Sequence, residues 1–384
     1  MASSSSQNKP SVGILSIGDM GMGVGRLLRH HDYTVQHTLD RIKSSRITTL
    51  ASDEELVAEV DILLSIVPPR DAVATARRAL EACQSAAAIQ RRAEGKGSAA
   101  PRLTYVDLNA ISPRTARTIG ALFSTPKSPS SPAQLSITRS FSFHRRESEL
   151  DPQAISIDFL DGGIIGSPPA LREDKSWKRP SIVISGPKHD ELLDASLRDV
   201  LNVRIVGEAI GPASALKSCF AALSKGTIAL SILSFTTAHT CGVLPALKEH
   251  LEEFNPALLA FARGGLASMP PKAYRWVDEM RQINETFSVE GGFSPDILGD
   301  GHGDGHHHHH ADGPDITGQV FEGIADVYKL IADDTVLGEE KTEKRKRGTN
   351  LDDVVECVRD GIARKKNKAE GEGELDATWR GNWS

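Results

Sequence analysis

The sequence predicts an α/β domain built on a doubly wound parallel sheet, followed by an all-α domain. Short, nearly continuous apolar runs alternate with helical patterns over the first half, which is typical of a parallel sheet covered on both faces. A glycine-rich turn follows the first of these runs. The second half contains long helical patterns without intervening strand signals, so we expect it to be entirely helical.

Apolar periodicity and the positions of Pro and Gly set the expected elements. In the first half we expect strands at residues 34–39, 61–67, 103–109, 181–185 and 203–206, after a first strand that begins at residue 12. The helices between them are expected at 53–59, 71–85 and 189–201, with a charged loop from residue 86 to residue 101. In the second half the helices are expected at 212–240, 244–261, 272–284, 317–332 and 350–365.

Changes in composition divide the chain into segments. We expect a disordered tail over residues 1–10, a nucleotide-binding domain over 11–207, an all-α domain over 208–338 and a charged extension with one helix over 339–384. A Ser- and Pro-rich stretch over 124–152 is expected to be a disordered insertion. The His-rich stretch over 299–314 is expected to be a loop without the fixed geometry of a metal site.

Charge and composition exclude several functional classes. The net charge of -6 gives no indication of a nucleic-acid surface. The most apolar segment is interrupted and shorter than the roughly 20 residues of a membrane span, so no membrane segment is expected. The cysteines lack disulfide or metal spacing and are expected to be reduced thiols of a cytoplasmic protein, at Cys83, Cys219, Cys241 and Cys357.

The first strand and the turn after it carry the clearest motif. Residues 12–28 read V-G-I-L-S-I-G-D-M-G-M-G-V-G-R-L-L, in which Gly18 and Gly21 take the second and third glycine positions of G-x-G-x-x-G and Ser16 takes the first. Such a turn brings backbone N–H groups to a pyrophosphate, so we expect a Rossmann-type dinucleotide site; the alternative is an ordinary strand-turn-helix. The predicted cofactor contacts here are Ser16, Ile17, Gly18, Asp19, Met20 and Gly21.

The end of the second predicted strand bears on the choice of cofactor. Asp40 lies where an acidic residue would bind the ribose of NAD. Arg41, Ser44 and Arg46 follow it, and guanidinium and hydroxyl groups suit a 2′-phosphate. We therefore expect NADP, with NAD possible; a solvated start of a helix is the alternative for residues 41–46.

Four ordered stretches resemble the β-hydroxyacid dehydrogenase superfamily, which includes 6-phosphogluconate dehydrogenase. They are the glycine turn, D-L-N-A-I-S-P at 107–113, D-G-G-I-I-G at 161–166 and S-A-L-K-S-C-F-A-A-L-S-K-G at 214–226. The last three look most like the subgroup with a phosphogluconate-dehydrogenase-like C-terminal domain. The resemblance implies an NAD(P)-dependent oxidoreductase that acts on a small hydroxyacid or its keto counterpart, and that forms a homodimer through its helical domain.

Within that resemblance, Lys217 matches the helical lysine that serves as general acid and base. A neutral amine would accept the proton of the substrate hydroxyl while hydride leaves for nicotinamide C4, and an ammonium would donate a proton to a carbonyl in the reverse direction. A lone helical lysine is usually a surface residue. The apolar neighbours A-L-K-S-C-F-A-A-L favour an enclosed amine instead.

The remaining predicted contacts come from the same stretches and from the strand that ends near residue 67. Asn109 stands where the family has a serine that contacts the substrate carboxylate, and Lys225 is either a contact for an anionic group or a surface residue. For Ser112 a helix cap is the favoured role. Further cofactor contacts are expected at Val67, Pro68 and Asn109, and substrate contacts at Asn109, Ala110, Gly163, Ile164, Ile165, Gly166 and Lys225.

The chain departs from the family at substrate positions. Phe220 and Ala221 replace two asparagines, and Ile165 replaces a substrate-binding serine. These departures put the usual small hydroxyacids in doubt. They also support an alternative class, a non-catalytic nucleotide-binding or scaffold protein that keeps the fold.

Overall fold

The computed structural model describes residues 9–15, 18–37, 48–96, 102–124, 154–294, 297, 319–342 and 344–379. The chain divides into two compact units. Unit 1 comprises Met1–Asn109 and Thr115–Ser214, and unit 2 comprises Ala110–Arg114 and Ala215–Ser384. The predicted tail up to residue 8, residues 125–152 of the predicted insertion and the predicted His-rich loop lie outside the described residues.

Unit 1 contains an eight-stranded sheet. Its strands are β1 (Val12–Leu15), β2 (Val35–His37), β3 (Thr48–Thr49), β4 (Ile62–Ser65), β5 (Arg102–Asp107), β6 (Ser156–Ile165), β9 (Ser181–Ser185) and β10 (Val203–Gly207). The strand order is β10-β9-β6-β5-β4-β1-β2-β3. All neighbours run parallel except β6 and β9, which are antiparallel. A separate two-stranded hairpin is formed by β7 (Ala170–Leu171) and β8 (Trp177–Lys178).

Six of these strands give the nucleotide-binding order. Read from one edge they are β3-β2-β1-β4-β5-β6, and the order reverses between β1 and β4. In open α/β sheets, ligands bind at the carboxyl ends of the strands where such a reversal occurs. The carboxyl ends of β1, β4 and β5, at Leu15, Ser65 and Asp107, therefore lie at the edge of the sheet where a nucleotide would bind.

Helices connect the strands of unit 1. They are α1 (Asp19–His30), α2 (Asp53–Glu59), α3 (Ala72–Gln84), α4 (Ala86–Lys96), α5 (Pro113–Phe123, whose first two residues belong to unit 2), α6 (His189–Leu192) and α7 (Ala195–Val200). Apolar residues of β1, β4 and β5 form the core with the inner faces of α1 and α7. Every residue of β1 and β4 is buried, because both sheet faces are covered.

Two predictions in unit 1 were wrong in detail. The expected charged loop after residue 85 is instead helix α4, which buries Arg92. Its guanidinium donates to the carbonyl oxygens of Val57 and Val60, at 2.7 Å each, so a charged residue fixes the helix to the core. The expected helix over 189–201 is two short helices, and Asp194 caps the second by accepting from the Leu197 N–H.

Unit 2 is helical throughout the described part of the chain, apart from one isolated bridge between Lys341 and Lys344. Its longer helices are α8 (Pro212–Thr240, whose first turn belongs to unit 1), α9 (Leu244–Phe254), α10 (Pro256–Ser268), α11 (Ala273–Glu285), α12 (Gln319–Asp334) and α13 (Leu351–Trp379). The single helix expected over 244–261 is divided, because Pro256 begins a new helix whose first turn is capped by the side chain of Asn255. The helix predicted for the charged extension is confirmed as α13.

Helix α8 supplies the centre of the unit 2 core and also an exposed apolar face. Ala221, Ile228, Ala229, Ile232 and Phe235 are buried against α10, α11 and α12. By length and composition alone, α8 is the one described helix that could cross a membrane, and half of its most apolar window is buried within the protein. A core helix satisfies the same criterion, so this observation is weak evidence for a membrane span.

The predicted fold class is confirmed: a doubly wound parallel sheet is followed by a helical region.

Candidate functional site

In unit 1, the first turn of α1 opens at the carboxyl end of β1. Gly18 is the N-cap residue, with φ −95°, and it is exposed. A Cβ atom built on it would meet no atom within 4 Å. Its carbonyl oxygen accepts from the Met22 N–H at 2.9 Å. The first N–H groups of a helix attract anions, so the glycine leaves room for a phosphate to approach them.

The second half of the glycine motif serves packing, as Gly23 shows. A Cβ on Gly23 would lie 2.8 Å from Pro169 Cδ and 3.1 Å from the Pro169 backbone nitrogen and oxygen. Any larger residue would displace the segment that crosses α1 at this point. Gly18 and Gly23 therefore have different roles within one motif, since one faces open space and the other a neighbouring backbone.

Asn109 joins the ends of two strands, β4 and β5. Its side-chain oxygen accepts from the Val67 N–H at 2.6 Å, and its Nδ2 donates to Ser65 Oγ at 3.0 Å and Asp107 Oδ2 at 2.9 Å. The residue is 2% exposed. In the structure these bonds occupy the buried amide, and they fix the turns after β4 and β5, including the half-buried Val67 and Pro68. The contact of Asn109 with substrate or cofactor stays a prediction.

Two fully buried aspartates lie beside each other at these strand ends. Asp107 on β5 and Asp161 on β6 are register partners. Asp161 accepts from the Gly211 N–H (3.0 Å), the Ser214 N–H (3.1 Å) and hydroxyl, and the Ser185 hydroxyl (3.0 Å). Asp161, which lies on β6, thereby accepts from N–H groups at the first turn of α8, which have no partner within the helix.

Burial is the largest influence on the pKa of both aspartates. It raises the pKa of Asp107 to about 7; the bonds from Asn109 oppose this rise, and the nearby Asp161 carboxylate adds to it. Burial likewise raises the pKa of Asp161, against the hydrogen bonds from Ser214, Ser185 and Gly211. Neither carboxyl is exposed, so their role is to hold the strand ends.

Most of the stretch 161–166 lies in a strand. Gly163, Ile164 and Ile165 belong to β6 and pair with β9, and Gly163 and Ile164 are buried. Their role as substrate contacts stays a prediction. Gly166 follows the strand and is exposed, with φ +125°. Gly162 permits close packing, since a Cβ there would lie 2.8 Å from Asp107 O, Leu108 Cδ2 and Ile184 Cδ1.

In unit 2, Lys217 lies beside a buried carboxylate. Its Nζ is 3.8 Å from Glu279 Oε1, and the Lys217 side chain is 15% exposed. Glu279, on α11, has a side chain that is 9% exposed. The apolar surroundings read from the sequence thus correspond to an enclosed amine. Sequence reasoning places the lysine but not its partner.

Lys225 binds the other oxygen of the same carboxylate. Its Nζ donates to Glu279 Oε2 and lies 4.8 Å from the centre of the Trp276 ring. Burial lowers the pKa of Lys225 to about 8, although Glu279 opposes the shift. Its ammonium is paired in the structure and its side chain is 14% exposed, so the alternative of a surface lysine is wrong. Its contact with an anionic substrate group stays a prediction.

Glu279 stays ionised in this environment. Burial raises its pKa, but the Lys225 and Lys217 ammonium groups outweigh burial and hold the pKa below its usual range. The sequence carried a signal for this residue. Trp276, Glu279, Met280 and Ile283 are buried at the spacing of one helix face, and a carboxylate among apolar residues at that spacing needs a cation.

Other predicted residues have structural surroundings. The Ser112 N–H donates to Gln282 Oε1 at 2.8 Å and its hydroxyl donates to Glu285, so its structural role extends to α11. Ala110 is half-buried at the start of the same short segment of unit 2. Ala221 is buried in the core, whereas Phe220 is 49% exposed.

Several predicted contacts lie outside the described residues. They are Ser16, Ile17, Asp40, Arg41, Ser44 and Arg46. Among the residues that the structure does describe, no group of three or more His, Cys, Asp or Glu side chains is arranged to hold a metal ion.

Comparisons with known proteins bear on the fold. The family model described as a domain of unknown function, DUF1932, matches residues 238–331. The chain is similar to 3-hydroxyisobutyrate dehydrogenase of Mycobacterium tuberculosis, solved with L-serine, with a TM-score of 0.53 and 14% identity over 91% of this chain and 98% of that one. A search of curated proteins gives no match.

Two further solved structures share the fold. A conserved hypothetical protein from Sinorhizobium meliloti 1021 has a TM-score of 0.50 and 15% identity, over 92% of this chain and 97% of that one. Psf3, solved with NADP+ and 2-OPP, has a TM-score of 0.50 and 15% identity, over 83% and 93%. The chain shares its fold with these proteins, one of which is a 3-hydroxyisobutyrate dehydrogenase. The resemblance drawn from the sequence motifs is confirmed at this level.

Proposed function

We propose that the protein is an NAD(P)-dependent oxidoreductase that uses NADP in preference to NAD and Lys217 as its general acid and base. The observation that carries the proposal is the enclosed Lys217 amine beside Glu279, on the helix where the superfamily resemblance places this role. Proton transfer to or from a substrate requires a positioned titratable side chain, and an enclosed lysine amine can supply one.

The nucleotide site is supported by unit 1. The strand order reverses beside β1, and the N-terminus of α1 is open at Gly18, where there is room for a pyrophosphate. The preference for NADP is supported by the basic and hydroxyl residues after Asp40. Psf3, which has the same fold, was solved with NADP+.

The cofactor would supply hydride at its nicotinamide C4. In the reducing direction, the Lys217 ammonium donates a proton to the carbonyl oxygen of the substrate. In the oxidising direction, the neutral amine accepts the hydroxyl proton. Glu279 Oε1 lies 3.8 Å from Lys217 Nζ and can hold the amine in place between turnovers.

The charge around this lysine favours an acidic substrate. Lys217, Lys225 and Arg275 act on the single carboxylate of Glu279, so positive charge is in excess. A hydroxyacid or ketoacid would bring the compensating anion. Phe220 and Ala221 replace the asparagines of the family, which favours a substrate other than its usual small hydroxyacids.

The direct test of this proposal is cofactor binding followed by turnover. NADPH and NADH are titrated against the wild type, and a panel of 3-hydroxyacids and 3-ketoacids is assayed. We expect tighter binding of NADPH, and turnover that Lys217→Ala lowers by about 10²- to 10⁴-fold. Lys329→Ala, which removes an exposed lysine from α12, is the matched control. Cofactor binding without turnover of any substrate would support the scaffold alternative.

Two glycine substitutions distinguish an effect on cofactor binding from an effect on folding. Gly18→Ala places a methyl group in open space, so it should change the free energy of unfolding by at most about 1 kcal/mol. The same methyl group should weaken NADPH binding by obstructing the phosphate. Gly23→Ala is the control, since it meets Pro169 and should destabilise unit 1. Unchanged NADPH affinity in Gly18→Ala would contradict the assigned phosphate site.

We further propose that the protein is a homodimer in the cytoplasm. One face of α8 exposes large apolar residues at helical spacing, and a second copy of this face would cover them. They are Leu216, Phe220, Leu223, Leu230 and Leu233. The cysteines in the described chain are free thiols, as a reducing compartment favours.

The homodimer is tested by replacing a leucine with glutamate at two different positions, Leu223 and Leu171. The wild type should sediment at twice the chain mass of 41.4 kDa, and Leu223→Glu should sediment as a monomer. Leu171→Glu, at an exposed leucine in unit 1, should leave the dimer intact. A wild-type monomer, or recovery of the protein in membranes, would contradict the proposed dimer.

A further inference from the structure

Two helices of unit 2 bring three charged side chains to one point. Lys217 and Lys225 are eight residues apart on α8, so they project about 80° apart around the helix axis. Glu279 on α11 lies between their ammonium groups and presents one oxygen to each. The lysines therefore meet at the carboxylate, although their positions on α8 do not face each other directly.

The two oxygens of Glu279 are not equally satisfied. Oε2 accepts a hydrogen bond from Lys225, whereas Oε1 is buried and has no hydrogen-bond partner in the structure. A buried acceptor without a donor costs on the order of 1–3 kcal/mol. Lys217 Nζ, at 3.8 Å, forms an ion pair with Oε1 but is too far away for a hydrogen bond. A shift of about 1 Å would close that bond.

Lys225 is held more firmly than Lys217. The Trp276 ring packs against its ammonium, and the Trp276 ring in turn meets Tyr328 edge-on at 5.1 Å. The Tyr328 hydroxyl donates to the Lys225 backbone oxygen at 2.6 Å. This enclosure fixes Lys225 and leaves the Lys217 amine as the member of the cluster that can move.

We propose that Glu279 is a positioning residue that holds the Lys217 amine, and that Lys225 competes for the same carboxylate and so sets how strongly Lys217 is held. This inference rests on the proposed function, because Lys217 must leave Glu279 in order to exchange a proton with the substrate. When Lys225 is charged, Glu279 is shared and Lys217 is released easily. When Lys225 is neutral or absent, Glu279 turns wholly to Lys217.

The electrostatics support the competition. The charged groups that act on Lys225 are Glu279, Lys217 and Arg275. With its pKa lowered to about 8 by burial, Lys225 can change charge close to neutral pH. Loss of that charge removes the main cation that opposes the burial of Glu279, and Lys217 is the next.

Competitive acylation of lysines tests the proposal without any substrate or cofactor. The protein is treated at pH 8 with a limiting amount of acetic anhydride, and the acetylation rate of Lys217 is read by peptide mass spectrometry. Only a neutral amine reacts, so a more tightly paired ammonium reacts more slowly. The variants are Glu279→Gln, Lys225→Met and, as a control for loss of one charge, Lys329→Met on α12.

The two cluster variants should change the rate in opposite directions. Glu279→Gln removes the partner of Lys217 and should raise its acetylation at least about threefold, whereas Lys225→Met leaves Glu279 to Lys217 and should lower it at least about threefold. Lys329→Met should leave the rate unchanged within about twofold. Changes of the same sign, or changes no larger than the control, would overturn the proposal. Simple loosening of the fold would raise the rate in both variants.

If Glu279→Gln does not fold, a second pair of variants, Lys225→Arg and Lys225→Met, tests the proposal. Lys225→Arg keeps a permanent charge beside Glu279 and should preserve the wild-type rate within about twofold, while Lys225→Met lowers it. Equal rates in these two variants would overturn the proposal. NADPH binding is measured separately on the wild type. Its absence would refute the proposed function, and the acylation result would still decide the role of Glu279.

Discussion

The two units bury carboxylates in opposite ways. In unit 1, Asp161 is surrounded by neutral donors, two N–H groups and two hydroxyls, and burial raises its pKa. In unit 2, Glu279 is surrounded by ammonium groups that hold its pKa low, and one of its oxygens has no hydrogen-bond donor. A satisfied network rigidifies a structure, whereas an incompletely satisfied ionic cluster can rearrange. This difference supports a structural role for Asp161 and the proposed chemical role for Glu279.

The largest expected effect is the loss of Asp161. Asp161→Ala leaves three donors at the start of α8 and the Ser185 hydroxyl on β9 without their acceptor, and should lower the free energy of unfolding by roughly 3–5 kcal/mol. Asp158→Ala on the same strand removes only an ion pair with the largely exposed Arg102, and should cost less than about 1 kcal/mol. Urea unfolding of the two variants gives both values. Equal costs would show that the Asp161 network is not structural.

The second effect concerns pH. The pKa of Asp107 is about 7 in the folded protein, above its usual value, so between about pH 4 and 7 the folded state binds a proton that the unfolded state has lost. Stability from this group is therefore present at low pH and is lost as pH rises to 7. In Asp107→Asn this loss, about 4 kcal/mol, should disappear.

The measurement is urea unfolding at several pH values, with the wild type compared with Asp107→Asn. Above pH 7 the two curves should run parallel, because Asp107 no longer titrates there. A difference between wild type and variant that stays constant from pH 4 to 7 would contradict the assigned protonation.

The smallest effect is expected when the ionic pair of unit 2 is replaced as a whole. Either Lys225→Met or Glu279→Met alone should destabilise, because a buried charge loses its partner. The double variant should return to within about 1 kcal/mol of the wild type, since apolar residues of similar volume can replace a buried ion pair. If the double variant is as unstable as the sum of the single variants, the pair is structural, as Asp161 is.

The bounds of individual helices and strands were predicted correctly where short-range sequence signals mark their ends. Helices α2 and α8 and strand β9 have the predicted bounds, because caps, prolines and apolar runs mark their ends. The break at Pro256 was missed, because the apolar period continues across it. Helix α4 was missed for the opposite reason: its composition is charged, and it is fixed by the buried Arg92, whose partners are 32–35 residues away.

The site was predicted only where one residue type in one motif carries the information. Lys217 was found in this way, but its neighbour Glu279 is 62 residues further along and comes from a separate helix. The glycines of 161–166 give an ambiguous signal in the sequence, because glycine suits a ligand-binding turn and tight strand packing equally. Only the packing of Ile184 and Leu108 against Gly162 separates these roles.

Transfer of deuterium from C4 of labelled NADPH tests the central claim most directly. Wild-type protein incubated with the labelled cofactor and a panel of 3-ketoacids should yield a hydroxyacid with one deuterium on the carbinol carbon. Lys217→Ala should slow this transfer by about 10²- to 10⁴-fold, and Lys329→Ala should not. Absence of deuterium from every product while NADPH binds, or equal rates in the two variants, would contradict the account.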